Sequence, residues 1–240
     1  MKSREKEYFQ RIAEVFDTHF NVYTKPAGIL RVQRRNNLFS EHCCLKPGLR
    51  VLEIGCGTGE YTKGLLRSNC NLFSIDLSYN MLNKAREKIP NRGNLCFIVS
   101  DAERLPFKDE VFDAVIGNAV LHHLDIKQAV GQIWRVLKPG GSFVFSEPNM
   151  LNPQIFLQKN IRTLKRLFGD SPEEGAFFRW QVKELFLKTG FKDIKVEPFD
   201  FLHPHCPNFF LKSNNKIGRF LERLFLIKEI AGSLLIKGKK

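Results

Sequence analysis

The 240-residue sequence predicts an α/β fold built on a mostly parallel sheet with helices on both faces. Three observations carry that expectation. Five short runs are apolar almost throughout, amphipathic stretches lie between them, and a glycine cluster stands directly behind the first run. Strands buried on both faces read as continuous apolar runs, whereas a sheet with one wet face alternates.

Taken in order, residues 4–20 space Tyr8, Phe9, Ile12, Val15, Phe16 and Phe20 at helical intervals, which predicts an amphipathic helix. A second helix is expected from about Ile29 to Cys44, after the break at Pro26-Ala27-Gly28, and LKPG (45–48) is a turn. The strand-like runs are LRVLEIG (49–55), CNLFSID (70–76), NLCFIVSD (94–101), VFDAVIGN (111–118) and GSFVFSE (141–147). Helices are expected between them at about 59–68, 78–89 and 126–137. After Glu147 the rhythm breaks: EPNMLNPQ is a loop, and 155–169 predicts a basic amphipathic helix. Residues 180–190 read as a helix ending at Gly190, 191–199 as a strand, and 203–218 as irregular chain. A helix over 219–229 and a strand over 230–240 close the sequence, for seven strands in all.

Composition narrows the function classes. With 43% hydrophobic residues the chain can bury a sizeable core, which excludes global disorder. The six cysteines form no CxxC pair, and Cys43-Cys44 suits neither a disulfide framework nor a metal knuckle, so reduced thiols in a cytoplasmic protein are expected. His203, His205 and Cys206 fall within four residues, too close for one coordination sphere, and read as a turn; no metal is expected. The first ten residues lack the apolar core of a signal peptide, and no run is long enough to span a bilayer. The net charge is +13, with 17 Lys and Arg against 9 Asp and Glu in residues 151–240 and 21 against 16 before them. A basic surface favours anionic partners, or simply keeps the protein soluble.

The glycine loop, EIGCGTG (53–59), places Gly55, Gly57 and Gly59 behind the first strand. Glycine loses the most backbone freedom on folding, so the cluster implies a tight turn or a close approach by something else. It is not a dinucleotide G-x-G-x-x-G, because the third glycine comes one residue early, and no G-x-x-x-x-G-K-[ST] is present. The second strand ends in Asp76, where a carboxylate can accept both hydroxyls of a ribose.

This loop resembles motif I of the class I S-adenosylmethionine-dependent methyltransferases. SDAERLPF (100–107), FDAVIGNAVLHHL (112–124) and VLKPGGSFVFSEPN (136–149) resemble the following blocks in the same order. The likeness covers about residues 45–150 and is nearest to the small-molecule and lipid type, similar to ubiquinone and menaquinone methyltransferases. It implies a Rossmann-like seven-stranded sheet in the order 3-2-1-4-5-7-6, with strand 7 antiparallel and a helical lid. It further implies one methyltransferase domain over 1–240: a helical cap at 1–44, a cofactor-binding core at 45–150, and lid insertions at 151–178 and 201–228.

The cofactor implied is S-adenosyl-L-methionine. Gly55, Gly57 and Gly59 would pass under its methionine part, Glu53 would face the ammonium from beneath the loop, and Asp76 would hold the ribose. Leu77 and Met81 would pack on the adenine, Asp101 and the Ala102 N–H would meet its polar edge, and Asn118 would line the cleft where the methyl group emerges. The general base is open: His122, His123 and Tyr8 are candidates, with Glu147, His19 and Tyr23 behind them. The fourth strand continues as GNAV, not as the [N/D]-P-P-[Y/F] block of base-methylating relatives.

The expected function is therefore methyl transfer to a small, lipophilic or amphiphilic acceptor. The aromatic set Phe156, Phe168, Phe177, Phe178, Trp180, Phe199, Phe201, Phe209 and Phe210 suits such a cover. The alternatives are an RNA-directed methyltransferase, or a regulatory module that binds cofactor without transfer; with no added RNA-binding domain, nucleic acid is the less favoured partner. Contact with an anionic membrane is suggested by Lys159, Arg162, Lys165 and Arg166 on the 155–168 helix. The acceptor's identity and the oligomeric state stay open at this level.

Overall fold

The computed structural model describes residues 2–13, 23–90, 92–171 and 174–240. The second half of the helix expected over 4–20, and His19 with it, lies outside the described residues. The elements in chain order are α1 (Lys2–Ile12), α2 (Pro26–His42), β1 (Arg50–Ile54), α3 (Glu60–Leu65), β2 (Asn71–Asp76), α4 (Tyr79–Lys88), β3 (Leu95–Val99) and β4 (Phe112–Asn118). There follow α5 (Ile126–Val136), β5 (Leu137–Pro148), α6 (Pro153–Asn160), α7 (Arg162–Phe168), α8 (Arg179–Thr189), β6 (Lys192–Phe199), α9 (Leu211–Leu221) and β7 (Ser233–Lys239).

The seven strands form one sheet in the order β3-β2-β1-β4-β5-β7-β6. β1 to β5 pair in parallel, and β7 runs antiparallel to both β5 and β6. This is the Rossmann-like order that the resemblance implied.

Period-two alternation sorts the core onto two faces. Leu52, Ile54, Val115, Phe143, Phe145, Leu234 and Ile236 point to one side and meet Val130, Ile133 and Val136 of α5 and Val182 and Phe186 of α8. Val51, Leu72, Ala114, Ile116, Val144 and Leu235 point to the other and meet Phe39 of α2 and Leu65 of α3. Two helices of the core start on side-chain caps that hold backbone N–H groups otherwise left unpaired. Ser78 accepts from the Met81 N–H at the start of α4, and Asp125 from Lys127 and Gln128 at the start of α5.

Four boundaries differ from the sequence expectation. α2 starts at Pro26, since proline fits the first helical turn where no N–H partner is needed. β5 reaches back to Leu137 through the expected turn, with a register shift against β4. The helix expected over 155–169 is two helices, broken at Ile161 (φ −104, ψ 114). The break accompanies a buried Lys159, which pairs with Asp170 at 2.9 Å and with Glu174 instead of lying on a solvated basic face. Finally, α9 lies in the stretch read as irregular, and of the expected 219–229 helix only the first three residues are α-helical, with a 3-10 turn at Ile227–Ile230. The polar run KSNNK hid the helical period of α9.

Candidate active site

The C-terminal ends of β1, β2 and β4 carry their loops toward a cavity of about 320 Å³. It is lined by Gly55, Gly57, Asp76, Leu77, Met81, Asp101, Ala102 and Asn118, together with Tyr8, Phe9 and Ile12 from α1. Eight of the ten residues expected to hold a cofactor therefore meet in one place.

The other two, Glu53 and Gly59, do not line it, and each has a physical reason. Glu53 is buried beneath the loop, where its Oε2 accepts from Thr62 Oγ1 and Ser74 Oγ, both at 2.6 Å. Burial pushes its carboxyl up to about 7, against the lowering effect of those two bonds. Gly59 (φ +86) lets α3 approach α4, since a Cβ there would sit 2.8 Å from Ile89 Cδ1. Gly57 is the one whose missing side chain faces open space: at φ +53 an added Cβ meets nothing within 4 Å. Asp76 anchors that loop, with Oδ2 accepting from Gly57 N at 2.9 Å and Oδ1 from Ser78 N at 2.8 Å. Its carboxyl is raised by burial and held back by those backbone bonds.

Asn118, Ala119 and His122 also line a second cavity of about 430 Å³, so the loop after β4 is a wall common to both. Ala119 occupies the left-handed region (φ +50), a conformation that a residue with a side chain rarely adopts. Behind the wall, Glu147 at the end of β5 organises the loop. Its Oε1 accepts from Val120 N at 3.0 Å and Leu121 N at 2.9 Å, while Oε2 lies 2.6 Å from His122 Nδ1. His122 Nε2 is 3.4 Å from Glu174 Oε1. Burial alone would lower the imidazole's pKa, but the two carboxylates together raise it to about 9. The same contacts, with Lys159, hold Glu174 well below the usual carboxylate range despite its burial. His123 stacks edge-on against Phe9 of α1, and Tyr8 donates to the Gly169 carbonyl. The fold also brings donor atoms of His122, His123 and Glu174 within 4.8 Å of one another, a grouping that sequence spacing did not show.

The second cavity is lined by α2, α6 and the 200–205 loop. Arg35 is buried: Nη1 is 2.6 Å from Asp200 Oδ2, Nε donates to Ser146 and Nη2 to Ser233. Arg31 Nε donates to the same Asp200 oxygen at 2.8 Å, and no other guanidinium N–H of Arg31 has a partner among the described residues. Two guanidinium groups thus share one carboxylate; Asp200 is held far below its ordinary range despite burial, and Arg31 is lowered by burial and by Arg35. Arg31, Arg35 and Asp200 were not read from the sequence. The one signal available was the four-residue spacing of the arginines, which puts both on one helix face.

Of the nine aromatic residues expected to cover the cleft, only Phe168 and Phe201 line these cavities. Phe156, Trp180, Phe209 and Phe210 are exposed. The wall of the second cavity is more polar than the sequence implied, because apolar spacing does not show which way a lid residue turns.

Residues 52–145 match the methyltransferase domain family. The chain is 30% identical over 218 residues to the demethylmenaquinone methyltransferase of Staphylococcus carnosus, covering 82% of this chain and 89% of that one. It is 28% identical over 247 residues to an uncharacterised protein of Methanocaldococcus jannaschii, covering 98% and 90%. Among solved structures, a SAM-dependent methyltransferase of Thermotoga maritima, possible histamine N-methyltransferase, aligns with a TM-score of 0.69 at 21% identity over 98% of this chain and 99% of that one. Phosphoethanolamine N-methyltransferase 2 of Haemonchus contortus, in complex with phosphomonomethylethanolamine and S-adenosylhomocysteine, aligns with a TM-score of 0.69 at 19% identity, over 98% and 60%. At those identities the structural likeness speaks for the fold.

Proposed function

The chain belongs to the class I S-adenosylmethionine-dependent methyltransferases, and from that membership we propose that it methylates a small amphiphilic acceptor held in the second cavity. The observation that carries the proposal is the wall of Asn118, Ala119 and His122 shared by two cavities. A donor on one side and an acceptor on the other would meet there.

The first cavity fits the cofactor. Open space above Gly57 leaves room for the methionine part to lie against the backbone, and Asp76 offers a carboxylate at the end of β2 for the ribose diol. Leu77 and Met81 would pack against the adenine, and Asp101 with the Ala102 N–H would meet its polar edge. Glu53 would act from beneath the loop, where Thr62 and Ser74 hold its carboxyl group. Bound there, the cofactor supplies an electrophilic methyl group. The chain's own residues orient the acceptor and keep water out, which accounts for much of the effect in such displacements.

His122 is the residue we assign to the acceptor's proton. Glu147 fixes Nδ1 and leaves Nε2 turned to Glu174 at the shared wall. An acceptor hydroxyl or acidic carbon that displaces Glu174 would face a neutralisable nitrogen of raised basicity. The name of the Staphylococcus relative favours a lipophilic acceptor, whereas Arg31, Gln154, Gln158 and Lys159 in the lining favour a polar end on the same molecule.

The test is to incubate the protein with methyl-labelled cofactor and a cell lysate divided into organic-extractable, aqueous small-molecule, RNA and protein fractions. Label is expected in the organic-extractable fraction, and label confined to RNA or protein would sink the reading. With the acceptor in hand, kcat/KM is expected to rise with pH toward about 9, the pKa to which His122 is raised. His122→Asn should remove that limb and lower kcat by roughly 10²–10⁴-fold.

A further inference from the structure

α9 and the chain around it carry a surface that the proposed chemistry does not use. Lys212, Lys216, Arg219 and Arg223 follow one another at four, three and four residues, the spacing of a single helical stripe, and all four are exposed. None of these side chains has an ion-pair or hydrogen-bond partner among the described residues. The acids of the same stretch are turned away from the stripe: Glu222 holds Arg34 through two bonds of 2.7 and 2.6 Å, and Glu229 pairs with Arg179 at 3.0 Å. Beside the cations stand large apolar groups in water. Phe209 is 79% exposed, Phe225 74% and Leu226 77%, with Ile217 and Phe220 of α9 exposed between them. Exposed apolar groups in this density, edged by unpaired cations, mark a surface that meets something.

We propose that this face, residues 209–227, docks on the surface of an anionic lipid bilayer. Charge complementarity chooses the occupant. Cations beside aromatic and branched side chains match anionic headgroups lying over acyl chains, where the rings enter the boundary and the long basic side chains stay in the headgroup layer. A second copy of the face would bring four cations against four. A nucleic acid would neutralise the cations yet leave Ile217 and Leu226 in water.

Among the described residues no helix is long and apolar enough to cross a membrane, so the contact is peripheral. At 1.5 Å per residue α9 is about 16 Å long, enough to lie along the surface. The elements of this face also border the second cavity. Gly218 of α9 packs on Phe201, which lines that cavity, and Gln154 of α6 meets His203 of the 200–205 loop at 3.1 Å. A docked enzyme would take an amphiphilic acceptor from the bilayer. The docking itself does not depend on the acceptor assignment.

The experiment is co-sedimentation of the full chain with vesicles of phosphatidylcholine, with and without phosphatidylglycerol, at low and high salt. Binding is expected to the anionic vesicles and to weaken with salt. Phe225→Ser combined with Leu226→Ser should lower partitioning by roughly tenfold or more, and Lys212→Glu with Lys216→Glu should abolish the preference for anionic lipid. Both double variants should bind S-adenosylhomocysteine like the parent, which shows that they are folded. No sedimentation with either vesicle, or equal partitioning by parent and variants, would overturn the proposal. So would self-association in the absence of lipid, or binding to RNA but not to vesicles, if lost in the same variants.

Discussion

His122 lies between the carboxylates of Glu147 and Glu174, and the direction of its shift fixes a pH dependence. Its pKa is raised from 6.5 to about 9, so the folded state holds its proton more tightly than the unfolded chain does. The stability this contributes is complete below about pH 6.5 and is lost as pH rises through about 9. Unfolding free energy should therefore fall by something on the order of 3 kcal/mol across that window. His122→Asn should flatten the slope, measured by urea denaturation at several pH values. Glu53, raised to about 7, acts in a lower window: its contribution is complete below about pH 4.5 and gone above about pH 7. The glycines separate in a different way. Gly57→Val should abolish S-adenosylhomocysteine binding by calorimetry and destabilise by only about 1–2 kcal/mol, the strain of a side chain at positive φ. Gly59→Val should instead lose stability through its clash with Ile89 and Ala85. The G-x-G-x-G motif was legible in the sequence. That Gly57 faces the cavity while Gly59 joins two helices was not, because the second role depends on where α4 packs.

At the scale of elements, α2 is fastened to the end of β6 by Asp200, which holds Arg31 and Arg35 together. Asp200→Ala would leave the buried Arg35 and the half-buried Arg31 without a counter-charge and should cost about 3–5 kcal/mol in urea unfolding. A loss under about 1 kcal/mol would mean that water already compensates the cluster. Local spacing reveals that Arg31 and Arg35 share a helix face, but their partner lies 165 residues beyond Arg35, and such a pair is set by chain topology. The 155–169 segment shows the same limit from the other side. Its sequence reads as one amphipathic helix, yet Lys159 finds Asp170 and Glu174 in the interior, and the helix breaks two residues later.

For the molecule as a whole, α1 closes the first cavity with Tyr8, Phe9 and Ile12, while α2 and α6 wall the second. Deleting residues 1–12 should leave the sheet folded and weaken S-adenosylhomocysteine binding by roughly tenfold, as apolar cover is lost from the ligand. Hydrogen exchange should show ligand-induced protection at 8–12 and 119–124 and none along β6. An unchanged affinity in the truncated protein would place α1 outside the site.

The sequence by itself determined the class of fold, the positions of the strands, the glycine loop and the acid at the end of β2. These rest on period, chain direction and turn chemistry, which neighbouring residues decide among themselves. Only the tertiary structure decided that Thr62 and Ser74 hold Glu53, that Glu147 and Glu174 flank His122, that the second cavity is walled by arginine and lysine, and that α9 is a helix with an exposed basic stripe. Each of those depends on groups far apart in the chain whose burial is settled by how the layers pack, and side-chain spacing carries no record of it.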